Sequence, residues 1–372
     1  MSRLDELIAE LCPDGVEYVR LAECCDIEDN KRKPVKSSLR IPGDTPYYGA
    51  NNIQDYVEGY THYGQYVLIA EDGSASLENY SVQYVDGFFW ANNHVHVIKG
   101  RKDLDTKFLY YYLTSFNFIP FLTGGTRAKL NKGNMEEIPI PLPPLAVQQE
   151  IVRILDNFTE LTAELTAELT AELTARRKQY EYYRNEIMQL KHWHDRKTIT
   201  EMSLGDIYDF QYGKGNVIPT NGGEYPVYGS NGIVGTHFEY NSEDAPVIGH
   251  IGAYAGIVNW GYGKHFVTYN GVICKLKNNS VHSRYAYYLL LLQDFRAQAK
   301  SGSQPFVSYE ILKKPRVLIP PFEEQKRIVA ILDRFDALCN DLTSGIPAEI
   351  EARQKQYEYY RDKLLSFKEV TA

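Results

Sequence analysis

The heptapeptide KQYEYYR stands at residues 178–184 and again at residues 355–361, an offset of 177 residues (355 less 178) in a chain of 372. The same offset carries Gly125 onto Gly302, Pro143 and Pro144 onto Pro320 and Pro321, and Gln148 onto Gln325. It also carries Leu155 and Asp156 onto Leu332 and Asp333, and Phe158 onto Phe335. A fixed offset of nearly half the length means one unit written twice, each copy a globular half followed by a helical segment. The chain must therefore fold into two like bodies. A pseudo-two-fold protein suits a ligand that itself comes in two halves.

The length agrees, since it is too great for one ordinary core and fits two domains. Residues from about 18 to 142 are short apolar or alternating runs broken by Gly, Asn and Asp, which predicts strands and turns. The runs at 66–69, 95–98 and 138–142 are examples, and KFLYYYLTSF at 107–116 is a helix by its apolar spacing. In the second half, Leu204 answers Leu21, Tyr228-Gly229-Ser230-Asn231 answers Tyr48-Gly49-Ala50-Asn51, and residues 284–293 answer the 107–116 helix. Offsets upstream of Asn93 drift from 177 to as much as 183. The insertions therefore fall in the globular halves, which share a fold and differ in loops.

Each half closes in a proline-studded stretch, IPIPLPPL at 138–145 and VLIPPF at 317–322, which ends a sheet and cannot be helical. A helix follows each time. Ile151, Ile154, Leu155, Phe158, Leu161 and Leu165 keep helical spacing, as do Ile328, Ile331, Leu332, Phe335, Leu338 and Leu342. The first helix enters three tandem TAEL tetrads at 162–173, with Thr162, Leu165, Leu169 and Leu173 among the repeated positions. Each tetrad turns the apolar stripe by about 40° and adds about 6 Å; unbroken from 146 to 190, the helix is about 65 Å long. So long a helix needs a partner, and its own repeat at 322–367 supplies one as an antiparallel pair. Gly345 and Pro347 should interrupt that second copy.

Nothing in the sequence assigns a reaction. There is no Walker A motif, no GxGxxG after a strand, no GxSxG, HExxH or zinc signature. His94 and His96 alternate on one strand, where pairing or exposure explains them better than a metal. Five cysteines without a CxxC spacing fit a reducing compartment rather than a disulfide framework. The opening residues show no signal peptide and the chain no membrane-spanning run.

A net charge of −8 argues against gripping nucleic acid through the overall field. Local basic clusters remain, at 31–33, at Arg127, Lys129 and Lys132, and at Lys313, Lys314 and Arg316. Thirty tyrosines against fifteen phenylalanines fit wet interfaces or base stacking as well as ordinary strands. DNA-reading candidates lie in Gly/Asn/Tyr loops. Asn51 and Asn52 beside Tyr48 could offer amides to base edges, and Tyr228, Ser230 and Asn231 stand at the matching place. The run 124–129, with Thr126, Arg127 and Lys129, could hold phosphate on backbone N–H groups and two cations. Its counterpart, with Ser303 and Gln304, lacks the cations. Plain turn chemistry is the competing explanation for all of these loops.

Two variable halves, each closed by a PLPPL-like strand and leading into QQEIVRILDNF or EEQKRIVAILDRF, with a TAEL run between them and KQYEYYR at both helix ends, resemble the specificity subunits of type I restriction-modification systems. The resemblance spans essentially the whole chain. It implies an α/β (α+β) fold of two target-recognition domains separated by a pair of long antiparallel helices. The segments would be 1–145 and 196–321 for the recognition domains, and 146–195 and 322–372 for the helical spacers. It implies double-stranded DNA as ligand, each domain reading one half of a split sequence, with two methyltransferase subunits docked on the helices and restriction subunits joining the full complex. The chain itself would be non-catalytic, cytoplasmic and without cofactors; S-adenosylmethionine, ATP and Mg would belong to the partner subunits. Two other classes stand beside it. A carbohydrate-binding adhesin would need a secretion signal, and a fused methyltransferase would need a DPPY or NPPY motif; neither is present.

Overall fold

A computed structural model describes residues 2–124, 128–190, 198–299, 304–340 and 345–370. The chain divides into two compact units, Met1–Leu169 with Glu349–Ala372, and Thr170–Ala348.

The first globular half contains α1 (Arg3–Leu11), β1 (Tyr18–Arg20), α2 (Leu21–Cys24), β2 (Cys25–Ile27), β3 (Pro42–Tyr48), β4 (Ile53–Val57), β5 (His62–Ala70), β6 (Val82–Ala91) and β7 (Val95–Gly100). Then follow α3 (Thr106–Ser115), α4 (Lys132–Glu136) and β8 (Pro139–Pro141). After the long α5 (Leu145–Met188), the second half runs β9 (Thr200–Ser203), α6 (Leu204–Ile207), β10 (Tyr208–Tyr212), β11 (Tyr225–Tyr228), β12 (Ile233–His237), β13 (Ser242–Gly249), β14 (Val258–Val267) and β15 (Gly271–Leu276). It closes with α7 (Ser283–Leu291), α8 (Phe295–Gln298), α9 (Tyr309–Lys313), β16 (Arg316–Ile319), α10 (Phe322–Asn340) and α11 (Ile346–Leu364).

The duplication is a duplication of topology. The first half builds a six-stranded sheet in the order β2-β7-β5-β6-β3-β4, the second one in the order β10-β15-β13-β14-β11-β12. Strand for strand these are the same order. In both, the neighbours are antiparallel except one pair, β3 with β6 and β11 with β14. Each half adds a two-stranded ribbon, β1 with β8 and β9 with β16. The predicted runs at 66–69 and 95–98 lie in β5 and β7, and the 107–116 helix is α3. Of the predicted run at 138–142, Pro139–Pro141 form β8, flanked by the Ile138 carbonyl, which accepts from Leu21 N–H at 2.8 Å, and by Leu142 N–H, which donates to the Glu17 carbonyl at 2.9 Å; a two-stranded ribbon has only edges, where proline is tolerated.

Helix α3 lays Phe108, Leu109, Tyr111 and Leu113 into the first core, together with Val67, Ile69 and Ile98 of the sheet. Tyr285, Tyr288, Leu289 and Leu290 of α7 do the same in the second core. The proline pairs start the long helices as expected: Val147 and Gln148 donate to the Pro144 carbonyl at 2.8 and 3.1 Å, and Glu324 and Gln325 to that of Pro321 at 2.9 and 3.1 Å. A proline lacks the donor that would continue the sheet, while its carbonyl can open a helix.

The predicted continuous helix is present as the 44 residues of α5. The predicted break in its repeat falls between α10 and α11, with residues 341–344 outside the described set. Pro347 sits in the first turn of α11, where its missing N–H would be unpaired in any case. The compact units do not follow the written repeat. The first unit takes the beginning of α5 and nearly all of α11, and the second takes the end of α5 and all of α10. In the first unit the pairing is antiparallel: Phe158 stacks edge-on against Tyr360 at 6.2 Å, Thr159 meets the Tyr357 hydroxyl at 3.1 Å, and Thr162 and Leu165 share a groove with Arg353 and Gln356. In the second unit Tyr180 and Met188 of α5 are buried with Ile328 and Leu332 of α10. Between Leu155 and Tyr180 no residue is buried. Leu161 is 60% exposed and Leu165, Leu169 and Leu173 are half-buried, so the TAEL stripe forms a shallow seam rather than a core.

Candidate nucleic-acid interface

The loops singled out by sequence are gathered at one end of each sheet. In the first half, the β3–β4 turn places Asn51 so that its Nδ2 donates to the Gly73 carbonyl at 2.8 Å and its Oδ1 accepts from Ala75 N–H at 2.7 Å. Asn51 thus ties its turn to the loop after β5. Asn52 is exposed and accepts from Ile53 N–H at 2.8 Å. Lys129 exchanges two backbone hydrogen bonds with Thr123, both 2.8 Å, closing the loop that carries Thr126 and Arg127. Those two residues lie outside the described set. The next residue, Leu130, donates to the Glu71 carbonyl at 2.8 Å, so the Thr123–Lys129 pair that bounds this segment is tied to the end of β5. Tyr48 is half-buried, edge-on to Phe89 at 6.1 Å.

The second half converges in the same way. Ser230 is half-buried and Asn231 exposed in the β11–β12 turn. Gly249 ends β13 where a β-carbon would fall 2.3 Å from the Tyr254 carbonyl oxygen and 2.4 Å from that of Ser230. Only glycine lets these two loops approach so closely. Val307 donates to the His250 carbonyl at 2.9 Å and Gly252 to the Pro305 carbonyl at 2.8 Å, which lays the segment with exposed Gln304 beside the end of β13. Ser303 is outside the described set. Tyr228 is only 6% exposed and its hydroxyl donates to the Trp260 carbonyl at 3.3 Å. Tyr48 and Tyr228 therefore support the turns, whereas Asn52, Asn231 and Gln304 stand at the surface.

The two loop ends differ in chemistry; the sequence reading named Arg32, Lys129, His94 and His96 of the first but missed Glu71 and Asp29, and missed Tyr212, His250 and Tyr309 of the second. The first is a charged network. Glu71 ion-pairs with Arg32 at 2.7 Å and with Lys129 at 2.8 Å, and Arg32 also reaches Asp29 at 3.4 Å. His96 joins it through Asp29 at 2.6 Å and the Leu130 carbonyl at 2.8 Å, and His94 meets Asp72 at 2.6 Å. Burial pushes the Asp29 carboxyl up, but hydrogen bonds from His96 and Val97 N–H outweigh it and hold it below the usual range. The same balance holds Glu71 low, burial being outweighed by Lys129 and Arg32. Of the basic cluster at 31–33, Arg32 turns inward to this network, Lys31 pairs with Glu28 at 2.7 Å, and Lys33 lies over the Trp90 ring at 5.8 Å.

The second loop end is aromatic. Tyr212 stacks on Tyr309 at 4.2 Å and packs against His250 at 4.3 Å, with Tyr269 edge-on to His250 at 5.5 Å. Tyr212 N–H donates to the Tyr309 hydroxyl at 2.7 Å, and His250 meets the Val307 carbonyl at 3.0 Å. The carbonyls of Leu130 and Val307, one offset apart, are each held by a histidine, from β7 in one half and from the end of β13 in the other.

At the opposite end the two halves are alike. Two of the three tyrosine pairs of the repeated heptapeptide have matching exposures, 62% at both Tyr182 and Tyr359, and 44% and 42% at Tyr183 and Tyr360, whereas Tyr180 is buried and Tyr357 is half-buried. Tyr182 and Tyr359 are thus exposed aromatic rings at corresponding places in the two helical segments.

Comparison with known proteins bears on both ends. The family profile described as the type I restriction modification DNA specificity domain matches the chain twice, at residues 13–175 and 196–352. A Haemophilus influenzae protein named as a type I restriction enzyme specificity subunit is 47% identical over 95% of this chain and 96% of its own length. The Escherichia coli EcoR124I/EcoR124II specificity subunit is 32% identical over 70% of each. A chain from a structure of type I system complex assembly and conformational transition superposes with a TM-score of 0.61 at 16% identity, over 96% of this chain and 98% of that one.

Proposed function

The chain belongs to the type I restriction-modification DNA specificity family, and from that premise we propose that it reads a split DNA sequence, one half-site per globular half, on behalf of a methyltransferase. One observation carries the reading: two sheets of identical strand order end in loop clusters of unlike chemistry, charged in one and aromatic in the other. A shared scaffold with unlike loops is what reading two unlike half-sites requires. Asn52 and Lys129 present the first reading surface, and Asn231 and Gln304 the second; Thr126, Arg127 and Ser303, outside the described residues, are assigned to the same roles from the sequence alone. Asn51, Tyr48, Tyr228 and Ser230 brace the turns that carry them.

The matched, exposed Tyr182 and Tyr359 support docking of two like methyltransferase subunits. Those partners would hold S-adenosylmethionine, and the restriction subunits of a full complex would hold ATP and Mg. The chain supplies recognition and no reaction of its own. Among the described residues no helix is long and apolar enough to cross a membrane, and a DNA-reading role places the protein in the cytoplasm.

The TAEL run at 162–173 supplies the spacer. One tetrad turns the helix by about 40°, close to the roughly 35° that one base pair turns the duplex. Single-molecule mapping of methylated adenines, with the chain co-expressed with its methyltransferase subunits, should return a bipartite motif. Deleting residues 166–169 should shorten the gap by about one base pair and leave both half-sites unchanged. A continuous motif, or half-sites altered by the deletion, refutes the reading.

A further inference from the structure

Where each globular half meets its helix, one buried glutamine makes the same three hydrogen bonds. Gln148 is fully buried. Its Oε1 accepts from Asp105 N–H at 2.8 Å, and its Nε2 donates to the carbonyls of Asp103 at 2.9 Å and Pro143 at 2.7 Å. Gln325, also fully buried, accepts from His282 N–H at 2.7 Å and donates to the carbonyls of Ser280 at 3.1 Å and Pro320 at 2.9 Å. Every partner is displaced by the same offset. Asp105 and His282 are the N-caps of α3 and α7. Each glutamine therefore links three segments: the cap of the domain helix, the proline stretch, and the first turns of α5 or α10.

A second clamp lies eight residues further along each helix, about 12 Å down the axis. Asp156 accepts from Lys107 at 2.8 Å and from the Tyr111 hydroxyl at 2.6 Å. Asp333 accepts from Arg284 at 2.8 Å and from the Tyr288 hydroxyl. Lys107 lies over the Tyr84 ring and Arg284 over Trp260, so the cations are themselves held in place. Between the clamps, Ile151 and Leu155 of α5, and Ile328 and Leu332 of α10, are buried in the cores, an apolar contact that fixes no direction by itself. Two clamps a dozen ångströms apart fix both its tilt and its rotation against the domain.

The fold as such does not demand this arrangement. Removing such an amide leaves the backbone N–H and two carbonyls that it satisfies without that partner, so its hydrogen bonds are costly to lose and restrictive in direction. What it adds is a single permitted geometry. We propose that Gln148 and Gln325 are positioning residues that hold each DNA-reading domain at one angle on its own helix, and so set how strictly the protein measures the gap between half-sites. This rests on the split-site reading above.

The test uses the full chain assembled with its methyltransferase subunits. Its duplexes carry both wild-type half-sites with the native gap, or with gaps one and two base pairs shorter or longer. Methylation rate is read at each gap. Gln148→Leu and Gln325→Leu keep the bulk and remove the three bonds. Each should lower the ratio of native-gap to off-by-one rates about tenfold, with half-site sequences unchanged, and the double variant should lower it further. If the leucine variants do not fold, Tyr111→Phe and Tyr288→Phe loosen only the second clamp and should lower the same ratio about threefold. A fall in rate that is equal at every gap, or an unchanged ratio in the tyrosine variants, overturns the assignment. Failure of the split-site reading shows separately, since the unaltered chain would then have no gap preference to lose.

Discussion

The two halves of this protein agree where they meet the helices and disagree where they end in loops. At the helix end, Gln148 and Gln325, Asp156 and Asp333, and Tyr111 and Tyr288 repeat bond for bond. At the loop end, the place held by Glu71, Asp29 and Arg32 in the first half is held by His250, Tyr212 and Tyr309 in the second. Each half joins its helix through the same set of hydrogen bonds, so the junction is one solution used twice. The halves need not face the same ligand, so the loop ends are free to differ. Ion pairs and stacked rings are two unrelated ways of bracing the same converging loops.

The comparison is broken most directly at the shared end. Leu155 and Leu332 are fully buried at matching places in the two cores. Either substitution to alanine should cost about 2–5 kcal/mol, and the two costs should agree within about 1 kcal/mol. Urea unfolding of each variant, followed by hydrogen exchange resolved to the two units, measures both. Unequal costs would mean that the alikeness of the junctions is geometric only.

Acid separates the loop ends. Asp29 and Glu71 are held low in the first unit, and burial of Glu28 is outweighed by Lys31, Tyr66 and Lys99, which bring it to about 2. Among the described residues of the second unit the carboxylate held low is Asp206, an exposed residue in the first turn of α6 that bonds back to its Ser203 cap. A depressed carboxylate stabilises the fold fully above its unfolded value of about 4 and loses that contribution as pH falls through the folded value. Between about pH 4 and 2 the first unit should therefore open before the second, seen as faster exchange at the Val97 and Leu130 amides. Asp29→Asn should remove part of that difference. Equal acid sensitivity of the two units would contradict the assignment of charge to one end.

Much of this fold can be read from the chain, for a physical reason. Helix spacing, proline stops and a fixed offset are local or periodic signals, and they place α3, α5, α7 and the strands around them. The offset even paired Gln148 with Gln325, without indicating what either one holds, because its partners at 103, 105 and 143 are carbonyls and N–H groups that any residue carries. The loop networks are less legible still. Arg32 meets Glu71 across 39 positions and Tyr212 meets Tyr309 across 97, and no spacing announces such pairs. His94 and His96 were readable as paired rather than metal-bound, and they do pair with Asp72 and Asp29. Glycine and asparagine mark where the converging loops lie. Which of their side chains make hydrogen bonds between loops depends on the neighbours that convergence supplies: exposed Asn51 bonds to the loop after β5, and buried Tyr228 to the Trp260 carbonyl.

The smallest expected effect is also the most specific to one half. The Tyr309 hydroxyl accepts the Tyr212 N–H while the two rings stack. Tyr309→Phe keeps the stack and removes the acceptor, leaving a half-buried N–H at the end of β10 without that partner. The cost should be about 1 kcal/mol, read as faster exchange at the Tyr212 amide, with no change at Val97 or Leu130 in the first unit. Residue 309 corresponds by offset to Lys132, whose ammonium reaches Glu136 at 3.7 Å on the surface. Lys132→Met should therefore leave both units as they are. If it instead loosened the first loop end as Tyr309→Phe loosens the second, the two ends would share a brace after all, and their difference in chemistry would not be a difference in construction.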